Sequence, residues 1–532
     1  MNPYLLALTI FLAYILVLYV LHKTGTLEKL GLSLWGPFIM WRTEGGKKLI
    51  DWLARYKRFW NGYAGVAKAI CLVVMLFIMG LLIWQTTLVT QIPAESAPSP
   101  EMILGIPGIN PLIPIWYGIL GLVVAIIVHE FAHGILTRVA DLKVKSLGLI
   151  FMIVPMGAFV EPDEDALSNT TKRKRTNVFS VGPATNIILA LVCALIFSYA
   201  FMAAAEPVRE NPVVIQVADD GPADHAGIGF GAQVVEIDGQ SIQEVEGLED
   251  ISAPDPGESV QVDYYFKGER MSTQIISGVA VTAAQGGLPA AEAGIGEGML
   301  MASINDTVIR NPQDFQDAMD LTRPGQTVNV TVMAWDGVSE EFIVFEEISQ
   351  VTLDSRNDYL EDMGREPEGE DIGFLGVDTG YMGFTPASPG VLVQSMAHPF
   401  SGADSAGDVF QGIILYMAMP FQGLAPVQSP ITDLFEMGGV IGALPDGAFW
   451  IIANCFYWIF WINLMVGMTN VLPAVPLDGG YLFRDFMDGL VKKVKKGATE
   501  EDRERYVSSI TYALALVVLM LIMWQIIGPR VL

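Results

Sequence analysis

The sequence predicts a polytopic α-helical membrane protein of about six transmembrane helices, interrupted by a large inserted extracytoplasmic α+β region. Three observations predict it. Hydrophobic residues make up 52% of the 532 positions and charged residues only 17%, a balance suited to lipid rather than to one large soluble core. The apolar residues gather in runs of spanning length, and the loops between them alternate between basic and free of Lys and Arg. The acidic residues behind the formal net charge of -27 concentrate between about residues 206 and 405. That acidity argues against nucleic acid as a partner, because phosphate binding needs clustered Lys and Arg.

Residues 4 to 21 form the first apolar run. No basic segment precedes it, and His22 and Lys23 follow it in place of a small-residue cleavage site, so it reads as a retained anchor. The loop from Lys23 to Lys68 is rich in Lys and Arg and is expected in the cytoplasm, with the N-terminus outside. Anchor and loop make up region 1–69. A second span is predicted from about 70 to 89, and Gln91 to Asn110, with no Lys or Arg, forms an external loop. The third span, about 113 to 137, returns inward.

Near the inner end of that third span stands His129-Glu130-Phe131-Ala132-His133. On a helix the two histidines lie one turn apart on one face, so both imidazoles can reach one cation. Glu130 sits about 100° round the helix, within reach of a water on that cation. An H-E-x-x-H pattern fixes only three positions and is common by chance in soluble chains. Within a membrane span these groups are costly, so they are expected to face a protein interior and to have a task. Cys71, Cys193 and Cys455 lie in apolar stretches with no C-x-x-C pair, and His22, His225 and His398 read as surface residues. A further ligand must therefore be Asp, Glu or another His.

Residues 147 to 161 are too short and too broken by Pro155 and glycines to span, and suit extended chain or a hairpin beside the site. An open strand edge at Pro155, Gly157, Ala158, Phe159 and Val160 would let an unwound substrate add a strand. A buried connector without a substrate role is the alternative. Lys172-Arg173-Lys174-Arg175 is cytoplasmic by its charge, and the fourth span, about 178 to 204, closes the membrane core 70–204. It contains Gly182-Pro183-Ala184-Thr185-Asn186, where Asn186 reads as an interhelical hydrogen-bonding group rather than a catalytic one.

In the acidic region a period of 67 residues is visible: Pro222-Ala223-Asp224-His225-Ala226-Gly227-Ile228 recurs as Pro289-Ala290-Ala291-Glu292-Ala293-Gly294-Ile295. Gly231 recurs as Gly298, and short alternating strands follow each copy. The two copies resemble tandem PDZ domains, at 205–275 and 276–350. The resemblance implies binding of peptide C-termini by strand addition, and a purely steric gate stands equally open. Residues 351–446 form an acidic linker followed by an interfacial or re-entrant segment.

In region 447–532, a span from about 449 to 471 runs inward, a basic stretch Lys492 to Lys496 follows, and a last span from about 508 to 527 exits again. At the inner end of the first lies Asn470-Val471-Leu472-Pro473-Ala474-Val475-Pro476-Leu477-Asp478-Gly479-Gly480. Its prolines break the helix, which a bilayer tolerates only beside a cavity or other protein. Asp478 is the carboxylate at the right depth to join the histidines, although it could also simply cap the next helix.

H-E-F-A-H together with N-x-x-P-A-x-P-L-D-G-G, joined by an acidic insertion, resembles the site-2 proteases, the intramembrane zinc metalloproteases. The resemblance implies one Zn2+ per chain held by His129, His133 and Asp478, with Glu130 as general base and Asn470 assisting at the scissile carbonyl or substrate backbone. It also implies an edge strand at Pro155 to Glu161, single-span membrane protein substrates, and a multi-pass place in the cell membrane, with the site in the bilayer toward the cytoplasm and the PDZ domains outside. Gly134 departs from the family pattern, without expected harm. Two rivals remain. A membrane zinc protease for soluble or misfolded chains typically takes its third ligand from a glutamate, and a non-catalytic PDZ-based membrane peptide receptor has no need of the four site residues.

Overall fold

The computed structural model describes residues 3–43, 45–89, 99–103, 105–152, 155–248, 251–345, 350–363, 365–367, 369–400 and 405–531. Part of the predicted external loop, residues 91–98 and 104, lies outside these, as do residues 364, 368 and 401–404 of the predicted acidic linker. The chain divides into two units: Met1–Phe197, Met417–Pro426 and Ile451–Leu532 form the first, and Ser198–Tyr416 with Val427–Trp450 the second.

The first unit is helical because its apolar runs leave the backbone no partner but itself. Its long helices are α1 (Pro3–Lys23), α2 (Lys57–Leu88), α3 (Ile115–Val139), α4 (Lys172–Ile196), α5 (Asp446–Val471), α6 (Asp478–Val494) and α7 (Glu500–Val531). Among the described residues five are long and apolar enough to cross a membrane: α2, α3, α4 with its continuation to Ala204, α5 and α7. The chain is thus a multi-pass membrane protein with five such helices among the described residues, and part of the predicted first span, residues 4 to 21, lies outside the side chains described. Helices α2 and α7 begin well before their apolar runs, at Lys57 and Glu500, since helical hydrogen bonding continues through polar sequence beyond the hydrocarbon. The helix Ala406–Ala418 has 13 residues and a length of about 20 Å, short of the roughly 30 Å of hydrocarbon.

The predicted hairpin is present and larger than expected. Strands β1 (Leu32–Trp35), β2 (Phe38–Thr43), β3 (Val144–Phe151) and β4 (Pro155–Pro162) form one antiparallel sheet in that order. The first two come from the basic loop, where the charge pattern predicts no strand. They turn at Gly36, whose φ of 60° suits glycine, and β2 pairs with β3 from Thr43↔Leu147 to Ile39↔Phe151. This leaves β4 at the edge of the sheet. Its Val160 packs with Ile50, Ala132, Leu136 and Val181 into one apolar cluster. Gly134 proves to be part of this packing: a Cβ there would lie 2.7 Å from Ile50 Cδ1 and 3.3 Å from Val160 Cγ1, so its lack of a side chain brings β4 close to α3.

The second unit contains the duplication as two sheets. The first has the order β8-β7-β6-β5-β14, with β5 (Val213–Val217), β6 (Gln233–Ile237), β7 (Ser259–Phe266), β8 (Glu269–Ile276) and β14 (Phe384–Ala387). The second has the order β12-β11-β10-β9-β13, with β9 (Val279–Ala284), β10 (Leu300–Ile304), β11 (Val330–Asp336), β12 (Glu341–Phe345) and β13 (Val377–Tyr381). Each sheet therefore takes its last strand from the segment expected to be an acidic linker. Met382 and Gly383, both at positive φ, turn the chain from β13 into β14, and the two strands then pair with different sheets, Val279↔Tyr381 in one and Val217↔Phe384 in the other. His225 is exposed, as expected, and stacks on Trp335 of the other repeat with ring centroids 3.8 Å apart.

Candidate metal centre

Helix α3 brings His129 and His133 to one face, as a spacing of four residues requires. Asp478 reaches the same point by a different route. After α5 ends, the chain turns tightly through Pro473 and Pro476, with short-range bonds from Ala474 N to Leu472 O, Leu477 N to Ala474 O and Gly480 N to Leu477 O. A Cβ on Gly480 would come within 2.5 Å of the Val475 nitrogen, so only glycine lets the loop fold back here. Asp478 is the first residue of α6, where free backbone N–H groups favour a carboxylate.

The register of α6 against α4 is set by charge and stacking. The Arg175 guanidinium donates to both carboxylate oxygens of buried Asp485, with Nε 3.1 and 3.0 Å away, the bidentate geometry that arginine favours. Lys172 pairs with Asp488, and the rings of Phe179 and Tyr481 stack 4.6 Å apart.

At the centre His129 Nε2 and His133 Nε2 are 3.1 Å apart, and Asp478 Oδ2 lies 3.0 Å from the first and 3.2 Å from the second. The three atoms come from mostly buried side chains, and together they form a group able to hold one metal ion. Tetrahedral zinc with ligands about 2.0–2.1 Å away sets its ligand atoms about 3.3 Å apart, so the spacing fits. The donor chemistry fits as well. His133 Nδ1 lies 2.7 Å from the Val178 carbonyl, which can only accept, so in the neutral imidazole that ring nitrogen carries the proton and Nε2 is bare. A bare nitrogen facing a carboxylate oxygen has no hydrogen to share, whereas a cation serves both.

Glu130, beside this cluster, is engaged with the sheet: the Val160 N–H donates to Glu130 Oε2 at 2.9 Å. Val160 thus presents its backbone away from β3. With the alternation of a strand, Ala158 does the same, and Gly157 and Phe159 face their partners Ile150 and Gly148 on β3. Pro155 opens the strand. Asn470 lies in the last turn of α5 and donates to its own helix at Val466 O, 3.0 Å away. Among the described contacts none joins it to the three converging groups.

Three contributors escaped the sequence reading: the Val178 carbonyl, Gly182 and, in part, Asn186. A Cβ on Gly182 would collide with the Nε2 atoms of both histidines, lying 2.8 Å from that of His129. Asn186 Nδ2 lies 3.4 Å from His129 Nδ1. Their spacing of four along α4 was the available signal, but without the fold nothing said which helix that face met.

The family model for peptidase family M50 matches residues 117–518. Similar curated proteins include an uncharacterised protein of Methanocaldococcus jannaschii, 27% identical over 266 residues, covering 49% of this chain and 68% of that one. A provisionally named zinc metalloprotease of a Nostoc species is 28% identical over 189 residues, 29% of this chain and 52% of its own. Another such protein, of Clostridium acetobutylicum, is 26% identical over 168 residues, 27% of this chain and 48% of its own. The chain spans about half the length of these last two relatives.

Proposed function

The chain belongs to peptidase family M50, the site-2 protease family, and from that premise we propose that it is an intramembrane zinc metalloprotease that hydrolyses a peptide bond within or near the transmembrane segment of single-span membrane proteins. The observation that carries the proposal is the convergence of His129 Nε2, His133 Nε2 and Asp478 Oδ2 between helices of spanning length, next to the Glu130 carboxylate and the edge strand β4. His129, His133 and Asp478 would hold the ion. When bound there, zinc supplies a Lewis acid that lowers the pKa of water to about 7 and polarises a carbonyl.

Glu130 is the general base: it takes a proton from the attacking water and returns it to the leaving amine. Its bond to the Val160 N–H keeps it beside β4, so an extended substrate added to the edge at Ala158 would run toward the carboxylate. Asn470 would leave its own helix to donate to the scissile carbonyl or the substrate backbone. A helical substrate hides its carbonyls and must unwind first, which favours weak helix formers in its span. The duplicated sheets act as extracytoplasmic PDZ-type modules, which gate entry or take chain ends.

The test is cleavage of a co-reconstituted single-span reporter, read by product mass, for the wild type and Glu130→Gln at equal zinc content. A cut inside the span, slowed at least about 100-fold in the variant, supports the proposal. Cuts confined to external segments would assign the enzyme to soluble chains, and no cut in several different spans would favour a peptide receptor.

A further inference from the structure

Val178, Gly182 and Asn186 succeed one another at four-residue spacing along α4, and each meets the candidate metal centre differently. The Val178 carbonyl accepts from His133 Nδ1 at 2.7 Å and so fixes that ring with its Nε2 lone pair inward. Gly182 leaves the space that both Nε2 atoms occupy. Asn186 is fully buried, with one end of its amide 3.4 Å from His129 Nδ1 and its Oδ1 without a hydrogen-bond partner among the described residues.

The two ends of an amide have the same shape, and the hydrogen-bond network decides which is oxygen. With Nδ2 toward the ring, His129 Nδ1 must accept, and the proton of the neutral imidazole falls on Nε2. That atom then points an N–H at Asp478 and is closed to a cation. With Oδ1 toward the ring, Nδ1 donates and the Nε2 lone pair faces inward beside that of His133. With Nδ2 toward the ring, Oδ1 is left unpaired among the described residues, so the hydrogen bonds of Asn186 do not fix that orientation. A cation shared by two Nε2 atoms does choose, since it needs both lone pairs.

We propose that Asn186 is a positioning residue for the metal: its Oδ1 accepts the His129 Nδ1 proton in the loaded site, as the Val178 carbonyl does for His133. One face of α4 thereby sets the tautomers of both histidines. Groups that orient metal-bound histidines in this way are typically worth about 10–100-fold in metal affinity. The inference rests on the zinc reading above.

The experiment uses the full-length purified chain and measures zinc affinity by competition with a chelator, alongside the visible spectrum of the Co2+ form. Asn186→Leu keeps the branching at Cγ, with bulkier methyl groups in place of the amide ends, and loses the acceptor, and its zinc affinity is expected to fall about 10–100-fold with an altered Co2+ spectrum. Asn186→Asp keeps an acceptor and removes the donor, and is expected to retain affinity and spectrum. An amide that serves only to join helices would not distinguish the variants in this way. Wild-type affinity in Asn186→Leu overturns the proposal, as does an Asn186→Asp weakened as much as the leucine variant. If the leucine variant does not fold, Asn186→Asp decides alone: retained affinity supports the assignment and lost affinity overturns it. A wild type that takes up no zinc removes the zinc reading itself, an outcome distinct from either.

Discussion

The two units use buried positions in opposite ways. In the sheet unit, burial is repeated: Val214, Ala223, Ile228, Val234, Ile237 and Ile242 have their counterparts 67 residues on in Val281, Ala290, Ile295, Met301, Ile304 and Ile309, all nearly inaccessible. Val234 is matched by Met301, so what counts there is apolar volume, which tolerates exchange. In the helical unit the informative buried positions are polar and unrepeated: His129, Asn186 and Asp485, with His133 and Asp478 nearly enclosed. Each depends on one atom in one place. Architecture can be carried by a pattern, while the metal centre depends on individual groups that no neighbour can replace.

This contrast can be broken by substitutions that harm one unit and spare the other. The largest effect is expected from Asp478→Ala, which should weaken zinc binding by well over 100-fold, beyond the range of a supporting group, and end proteolysis, while the unfolding of the sheet unit stays at its wild-type midpoint. Mass spectrometry of metal content beside thermal denaturation checks both halves. The mirror experiment is Phe384→Ala. This side chain of β14 is fully buried in the first sheet's core, and its loss should cost about 3–5 kcal/mol in denaturant unfolding, with zinc content unchanged.

A subtler probe is Gly182→Ala, one methyl group placed against both Nε2 atoms. Chelator competition should show about 10–100-fold weaker zinc binding, of the order of losing a supporting group, although alanine is the better helix former. The smallest effect concerns the surface of the sheet unit, where hydrogen bonds from Ser272, Gln261 and Arg270 hold the Asp263 carboxyl below its usual range. A depressed carboxylate stabilises the fold above its unfolded pKa of about 3.9, and that contribution is lost as pH falls through the folded value. Arg270→Ala should therefore shrink the loss of stability between neutral pH and about pH 3 without touching zinc, as acid titration of unfolding would read.

What the sequence disclosed follows the same division. The repeat was legible because each copy needs the same apolar spacing, and His129, His133 and Asp478 stood out because ionisable groups in apolar runs demand a reason. The strands β1 and β2 were overlooked because the Lys and Arg around them signalled topology more loudly than Leu32-Ser33-Leu34 and Phe38-Ile39-Met40 signalled a hairpin. The pairing of β13 and β14 with two different sheets is a long-range choice that alternation alone cannot express. The Val178 carbonyl was invisible in principle, since every residue has one and only the fold selects which accepts.

The turn at Met382–Gly383 also sets a schedule for biosynthesis. As the ribosome delivers the chain from its N-terminus, β5 and β9 emerge with one edge bare, and each waits until β13 and β14 have been made. Bare edges recruit other strands, so the nascent insertion passes through a stage at which two neighbouring chains on one polysome could pair with each other instead. Neither repeat can mature ahead of the other, and a translation product ending between the two, at about residue 276, would leave the cell with an incomplete sheet rather than with one finished module.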